Sequence, residues 1–205
     1  MNLPNRITLF RIFLIPVIIV IGVLTLYLDV FQKTLINVNG VNYLSVGNLI
    51  MLIIFIVGAI SDFLDGYLAR KLKLITNFGK FADPLADKLL VLALMIILLE
   101  QKSLLEGWVI TIILAREFIV TGFRVVAASK NTIIAAGKLG KIKTNLQFGM
   151  IILLLIIGPH NNIYQGNLNI FEIIVVVIIY LTALMTVISG AEYMIKNKSV
   201  LKEGE

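Results

Sequence analysis

The sequence predicts an all-α, polytopic membrane protein with six transmembrane helices and a short interfacial helix at the N-terminus. The 205 residues are 59% hydrophobic, with a mean hydropathy of +0.99, whereas soluble domains are about 45–50% apolar. Apolar runs recur along the whole chain, most of them near the length that a membrane-spanning helix needs. The basic residues lie between these runs, and most of them are concentrated in every second connecting segment. One membrane domain over residues 1–205 is therefore expected.

Six apolar segments are the candidate spans, separated by polar connections. They cover residues 9–28, 44–68, 85–99, 108–128, 146–157 and 170–195. Residues 29–43, 71–84, 129–145 and 161–169 are expected to be polar loops or turns. Residues 1–12 carry an apolar stripe that predicts a helix lying in the membrane interface. No small-residue cleavage site follows, so the first helix is expected to remain in the mature protein.

The basic residues predict the orientation of these spans. With the N-terminus in the cytoplasm, fourteen Lys and Arg residues lie on the cytoplasmic side, and only Lys33 and Lys102 lie on the other. Basic loops remain on the cytoplasmic side of membrane proteins. Six spans with both termini cytoplasmic, in the cell (inner or plasma) membrane, explain this asymmetry, whereas five or seven spans would not.

Composition also excludes several classes of function. The chain has no cysteine, which rules out disulfides, thiolate metal sites and cysteine nucleophiles. The net charge of +6 fits attraction to anionic lipid headgroups. No nucleic-acid partner is expected, because no stacking aromatic residues accompany the basic clusters.

Four aspartates carry the strongest chemical signal. Asp62 and Asp65 are three residues apart and Asp83 and Asp87 are four apart, so each pair shares one face of a helix. The short connection between the helices predicts that all four carboxylates converge at the cytoplasmic end. Clustered carboxylates near lipid repel each other unless cations lie among them. An all-oxygen cluster favours Mg²⁺ or Mn²⁺, and two ions would suit an in-line phosphoryl displacement.

The residues around these aspartates suit a nucleotide diphosphate. Gly66 and Ala69 keep the face shallow, Arg70 offers a planar fork for phosphate, and Gly79 permits close approach. Pro84 is expected to begin the third span. The alternative is that the aspartates cap helices or pair with nearby lysines. Asp62 follows a long apolar run, and ionisable residues at such a depth in the membrane are usually functional, which argues against a mere capping or pairing role.

The string Asp62-x2-Asp65-Gly66-x2-Ala69-Arg70-x8-Gly79-x3-Asp83-x3-Asp87 resembles the signature of the CDP-alcohol phosphatidyltransferase family. The resemblance implies that an alcohol attacks the β-phosphorus of CDP-diacylglycerol and that CMP leaves. It implies metal binding by the four aspartates, with Asp83 and Asp87 catalytic and Asp87 the candidate base. It also implies CDP binding by Asp62, Asp65, Gly66, Ala69, Arg70 and Gly79, and a homodimer among membrane lipids.

A second set of residues is predicted to bind the acceptor alcohol. Arg116 and Arg124 lie in the fourth span, with Glu117 expected to point elsewhere on the helix. Lys138, Lys141 and Lys143 follow in the next cytoplasmic connection. Such a basic set suits a phosphorylated acceptor, although the lysines could also simply mark the cytoplasmic side.

Further residues resemble the bacterial branch of the family that acts on sn-glycerol 3-phosphate. They are Leu3-Pro4-Asn5-x2-Thr8-x2-Arg11, Arg116-Glu117 and Gly140-Lys141-x-Lys143-Thr144-x2-Gln147. The resemblance places Asn5, Thr8 and Arg11 beside the donor, and a plain membrane anchor is the alternative for this segment. Inositol 1-phosphate, serine and phosphatidylglycerol remain alternative acceptors. A divalent-cation transporter is a remote alternative, disfavoured because no acidic path continues across the membrane.

Overall fold

The computed structural model of the protein describes residues 3–38, 41–72, 77–129, 137–158 and 169–198. This part of the chain is mainly helical, with one β-hairpin. The elements in chain order are α1 (Leu3–Tyr27), α2 (Asp29–Gln32), β1 (Thr34–Val38), β2 (Val41–Ser45), α3 (Val46–Leu72), α4 (Asn77–Glu100), α5 (Gly107–Ser129), α6 (Lys138–Ile157) and α7 (Ile170–Lys196). They fall into two compact units, one of Met1–Ser103 with Leu154–Asn161 and one of Leu104–Leu153 with Asn162–Glu205.

In the first unit, α1 packs against both α3 and α4. Gly22 allows α1 to lie close to α4, since an alanine methyl there would lie 2.5 Å from Ile97. Gly58 likewise allows α3 to lie close to α4, since a methyl there would lie 2.8 Å from Leu90. Small residues at contacts between helices are characteristic of membrane proteins. Thr25 contacts Gly47 near one end, and Arg11 contacts Asp62 near the other. The helices α1 and α3 are therefore antiparallel.

The end of α6 also belongs to the first unit. The Asn48 side chain, at the start of α3, donates from Nδ2 to the backbone oxygen of Leu155 at 3.1 Å. The helix ends one turn later, where Gly158 adopts a φ of 72° and its N–H donates to the Leu154 oxygen. A left-handed residue here is most easily a glycine. The start of α3 and the end of α6 therefore meet.

In the second unit, α5 and α7 pack together and run in the same direction. The Trp108 ring stacks on Tyr180 with centroids 5.8 Å apart, and Phe123 meets Tyr193 edge-on at 6.4 Å. The later contact on α5 thus meets the later contact on α7, as it must when two helices run in the same direction. At the start of α7, the backbone N–H of Asn169 donates to the buried carboxylate of Glu172 at 2.8 Å. This contact satisfies one of the donors left open near a helix terminus.

Among the described residues, three helical segments are long and apolar enough to cross a membrane: Arg6–Tyr27, Lys138–Ile157 and Ile170–Lys196. Their outer faces carry large apolar side chains, such as Val20 on α1 and Val177 and Leu184 on α7, which are exposed in the isolated chain. Lipid is the environment in which such a surface is stable. The protein is therefore a helical membrane protein.

The structure corrects two sequence predictions near the N-terminus. The all-α class is wrong between residues 34 and 45, where β1 and β2 pair antiparallel from Thr34 opposite Ser45 to Val38 opposite Val41. This segment is rich in β-branched residues around Asn39-Gly40, a typical hairpin sequence. A separate interfacial helix over residues 1–12 is also wrong, because α1 is continuous from Leu3 to Tyr27. Thr8 and Arg11 are buried, so this stretch packs against protein.

Two helices begin earlier than predicted. The helix α4 starts at Asn77, not at Pro84. Pro84 is thus the eighth residue of α4, beyond the first turn in which proline is usually found, so it did not mark the start of the helix. The helix α6 starts at Lys138, so residues 138–145 are helical although a loop was predicted. Their polarity suggested a loop, but Lys143 is buried and finds a charged partner within the fold.

Candidate functional site

Asp62 is the one predicted metal ligand whose side chain belongs to the described part of the structure. Its Oδ1 accepts a hydrogen bond from Nη1 of Arg11 at 3.0 Å. The Arg11 side chain is 1% exposed and that of Asp62 is 54% exposed. A buried guanidinium needs an anionic partner, so this pair orients the carboxylate while leaving it open to a ligand. Arg11, expected beside the donor, thus contacts a predicted metal ligand directly.

The other predicted donor and metal residues lie outside the described side chains. They are Asn5, Asp65, Gly66, Ala69, Arg70, Gly79, Asp83 and Asp87. The helix bounds put residues 62–70 on α3 and residues 79–87 on α4. Within the described residues, no three His, Cys, Asp or Glu side chains are grouped to hold a metal ion. Convergence of the four carboxylates therefore stays a prediction.

The second unit contains a partly buried charge network that joins α5 to α6. Oε1 of Glu117 accepts from Nη1 of Arg116 at 2.9 Å and from Nζ of Lys143 at 2.6 Å. The three side chains are 14%, 20% and 3% exposed for Arg116, Glu117 and Lys143. The expectation that Glu117 points elsewhere is wrong. One carboxylate oxygen thus accepts hydrogen bonds from two cations.

Arg116 lies against two glycines, of which Gly190 makes the tighter contact. An alanine methyl at position 190, on α7, would lie 3.0 Å from Cγ of Arg116. A methyl at position 140, on α6, would lie 3.6 Å from its Nη2. Nε of Arg116 is buried and has no hydrogen-bond partner within the described residues. Buried polar groups are normally satisfied, so this donor is available to an anionic ligand.

The remaining predicted acceptor residues occupy different environments. The guanidinium carbon of Arg124 lies 5.8 Å from the centre of the Tyr193 ring, a cation–π contact with α7. Lys138 and Lys141 are exposed near the start of α6. Thus the structure brings Arg116 and Lys143 together through Glu117, and it does not place Arg124, Lys138 or Lys141 in that network within the described part of the chain.

Sequence reasoning missed Glu117 and Gly190 as parts of this cluster. A signal existed for Glu117, since it is the only acidic residue among residues 108–128 and buried cations need a counter-charge. Nothing comparable singled out Gly190, because its importance depends on which side chain of α5 lies against it. Chemically, the arrangement offers two oriented cations and an open donor, a combination that suits a phosphate group.

Comparison with known proteins shows the family of the chain. A family described as CDP-alcohol phosphatidyltransferase matches residues 1–188. A protein of Bacillus subtilis (strain 168), named CDP-diacylglycerol–glycerol-3-phosphate 3-phosphatidyltransferase, is 44% identical over 98% of this chain and 97% of its own. Proteins of the same name from Rickettsia bellii (strain RML369-C) and Haemophilus influenzae (strain ATCC 51907) are 38% and 30% identical, each over 94% of this chain and 93% and 91% of their own. The chain belongs to the CDP-alcohol phosphatidyltransferase family.

Proposed function

We propose that this protein transfers the phosphatidyl group of CDP-diacylglycerol to sn-glycerol 3-phosphate, giving phosphatidylglycerophosphate and CMP in phospholipid biosynthesis. The observation that carries the proposal is the near full-length similarity to relatives named for this transfer, at 30–44% identity. The complete aspartate signature from Asp62 to Asp87 supports the reaction type. The basic cluster around Arg116 supports a phosphorylated acceptor.

The reaction is a displacement at the β-phosphorus of the donor. The acceptor hydroxyl oxygen forms a bond to this phosphorus while the bond to the CMP oxygen breaks. Asp87 takes the proton of the acceptor hydroxyl, and Asp83 is the second catalytic residue. The CDP part of the donor is bound by Asn5, Thr8, Asp62, Asp65, Gly66, Ala69, Arg70 and Gly79. These roles come from the family signature.

Two divalent ions, Mg²⁺ or Mn²⁺, belong to this proposal, held by Asp62, Asp65, Asp83 and Asp87. The donor set fits, since it consists of carboxylate oxygens, the ligands that hard cations prefer. The half-exposed carboxylate of Asp62, oriented by Arg11, also fits, because metal ligands are commonly fixed by an outer hydrogen bond. When bound, such ions neutralise the phosphate charge of the donor.

The acceptor phosphate is bound by Arg116, Arg124, Lys138, Lys141 and Lys143 in this proposal. The strongest support comes from Arg116, whose Nε is buried and has no hydrogen-bond partner within the described residues. Arg116 shares the carboxylate of Glu117 with the ammonium group of Lys143. An arginine in a membrane span is costly and is usually retained for function. A phosphate oxygen would supply the missing acceptor.

Six spans, cytoplasmic termini and a cytoplasmic active site complete the proposal, within one domain that forms a homodimer in the cell membrane. Antiparallel α1 and α3 support alternating spans. The contact between Asn48 and Leu155 also supports them, since four crossings from α3 to α6 return the chain to the side where α3 began.

The test is CMP release by the purified protein in detergent–lipid micelles, with CDP-diacylglycerol, Mg²⁺ and a panel of acceptors. We expect release with sn-glycerol 3-phosphate, and little with inositol 1-phosphate, serine or phosphatidylglycerol. Asp83→Asn should abolish release with every acceptor. A preference for another acceptor would overturn the choice of substrate, and no release with any acceptor would overturn the transferase reaction.

A further inference from the structure

Glu117 lies at the centre of the partly buried charge network, yet it cannot itself bind an anionic acceptor. Its Oε1 accepts hydrogen bonds from both Arg116 and Lys143. A carboxylate repels phosphate, so direct contact between Glu117 and the acceptor phosphate is unfavourable. Its contribution must therefore act through the two cations.

This carboxylate links the two cations. The Lys143 side chain is 3% exposed, so its ammonium has lost most of its hydration, which a carboxylate at 2.6 Å replaces in part. Arg116 and Lys143 would repel each other at this spacing if no anion lay between them. A shared oxygen atom fixes both, so both lie within reach of one phosphate placed beside it.

Gly190 fixes the same arginine from another helix. An alanine methyl there would lie 3.0 Å from Cγ of Arg116, closer than carbon atoms normally approach. The contacting atom belongs to the first part of the side chain, near the backbone of α5, so it cannot move away without carrying the guanidinium with it. A side chain at position 190 would therefore shift Arg116, and with it the guanidinium, by a few tenths of an ångström.

We propose that Glu117 and Gly190 are positioning residues for the acceptor phosphate. Glu117 holds Arg116 and Lys143 as a pair that binds one phosphate group, and Gly190 provides the space in which Arg116 adopts this position. This inference rests on the proposed function, because it assumes that the two cations bind the acceptor. It assigns a role to two residues that do not contact the substrate.

The test compares KM values for both substrates in three variants. Glu117→Gln removes the charge and keeps the shape, whereas Gly190→Ala keeps every charge and displaces Arg116. Gly149→Ala on α6 is the matched control, since a methyl there meets no atom of the described residues within 4 Å. We expect both test variants to raise the KM for sn-glycerol 3-phosphate about tenfold or more. The KM for CDP-diacylglycerol should stay within about twofold, and the control should match the wild type.

A folding defect is separated from a positioning defect by the split between the two KM values and by the melting temperature. A double variant with both substitutions should lose less than the product of the single losses, because both act through Arg116. Equal changes in both KM values, or an unchanged acceptor KM in both variants, would overturn the inference. Loss of acceptor selectivity in the wild type, or an unaltered acceptor KM in Arg116→Ala, would instead overturn the proposed acceptor site.

Discussion

Arg11 on α1 holds Asp62 on α3 through a hydrogen bond of 3.0 Å from Nη1 to Oδ1. The arginine is almost fully buried, whereas the aspartate is half exposed. This relationship links the first helix of the chain to the first residue of the aspartate signature. A residue that anchors α1 within the protein therefore also orients a proposed metal ligand.

Replacing Arg11 by lysine tests this link. Arg11→Lys keeps the positive charge and loses the planar fork, so the carboxylate of Asp62 should lose its orientation. We expect kcat to fall by about 10- to 100-fold, as is typical when an outer partner of a metal ligand is lost. The measurement is the rate of CMP release. Arg6→Lys is the matched control, because Arg6 is exposed on the same helix; equal rates in the two variants would contradict the role of Arg11.

Asp62 itself should be required for metal binding. Asp62→Asn removes a charge from the predicted ligand set, so the affinity for divalent cations should fall by about tenfold or more. Binding of Mn²⁺, followed by electron paramagnetic resonance, measures this without relying on turnover. Asp29→Asn, an exposed carboxylate on α2, should bind Mn²⁺ as the wild type does. Unchanged binding in Asp62→Asn would remove this residue from the ligand set.

Close packing of α1 on α4 should depend on Gly22. In Gly22→Ala the new methyl would lie between 2.5 and 2.8 Å from three atoms of Ile97, and overpacking of this kind costs about 1–3 kcal/mol. We expect a lower melting temperature in detergent. The comparison is Gly122→Ala, where a methyl meets no atom within 4 Å in the described part of the chain and helix propensity favours the change. Similar melting temperatures for both variants would show that the two helices can separate at no cost.

The contact between α3 and the end of α6 should stabilise the first unit. Asn48→Ala removes the buried hydrogen bond to the Leu155 oxygen and leaves that oxygen without its donor, a loss of about 1–3 kcal/mol. Thermal unfolding in detergent should shift to lower temperature. Asn145→Ala, at an exposed position on α6, should leave the transition in place. A small effect at position 48 would mean that apolar packing alone holds the end of α6.

The proposed topology can be tested with single cysteines, since the chain has none of its own. Lys33→Cys and Lys102→Cys should react with a membrane-impermeant maleimide in intact cells, because both positions lie on the outer side in the six-span arrangement. Lys198→Cys should react only after lysis. Labelling of Lys33→Cys and Lys198→Cys from the same side would contradict an even number of spans.

The amino-acid sequence by itself determined the membrane environment and most helix positions, and it predicts the chemistry of the aspartates. Apolar length and charge asymmetry are local properties, so α5 and α7 lie within two residues of their predicted bounds. The signature likewise depends on spacing along the chain. The hairpin near residue 40 was also encoded locally, but a polar composition concealed its β-branched residues.

Only the tertiary structure decided which charges meet. The rotation and approach of neighbouring helices decide whether Glu117 faces Lys143 and whether Arg11 faces Asp62. They also decide which side chain lies over Gly190. The periodicity of one helix does not fix these quantities, because they are set by packing between helices. For the same reason, residues 138–145 resembled a loop until the burial of Lys143 against Glu117 accounted for their helical structure.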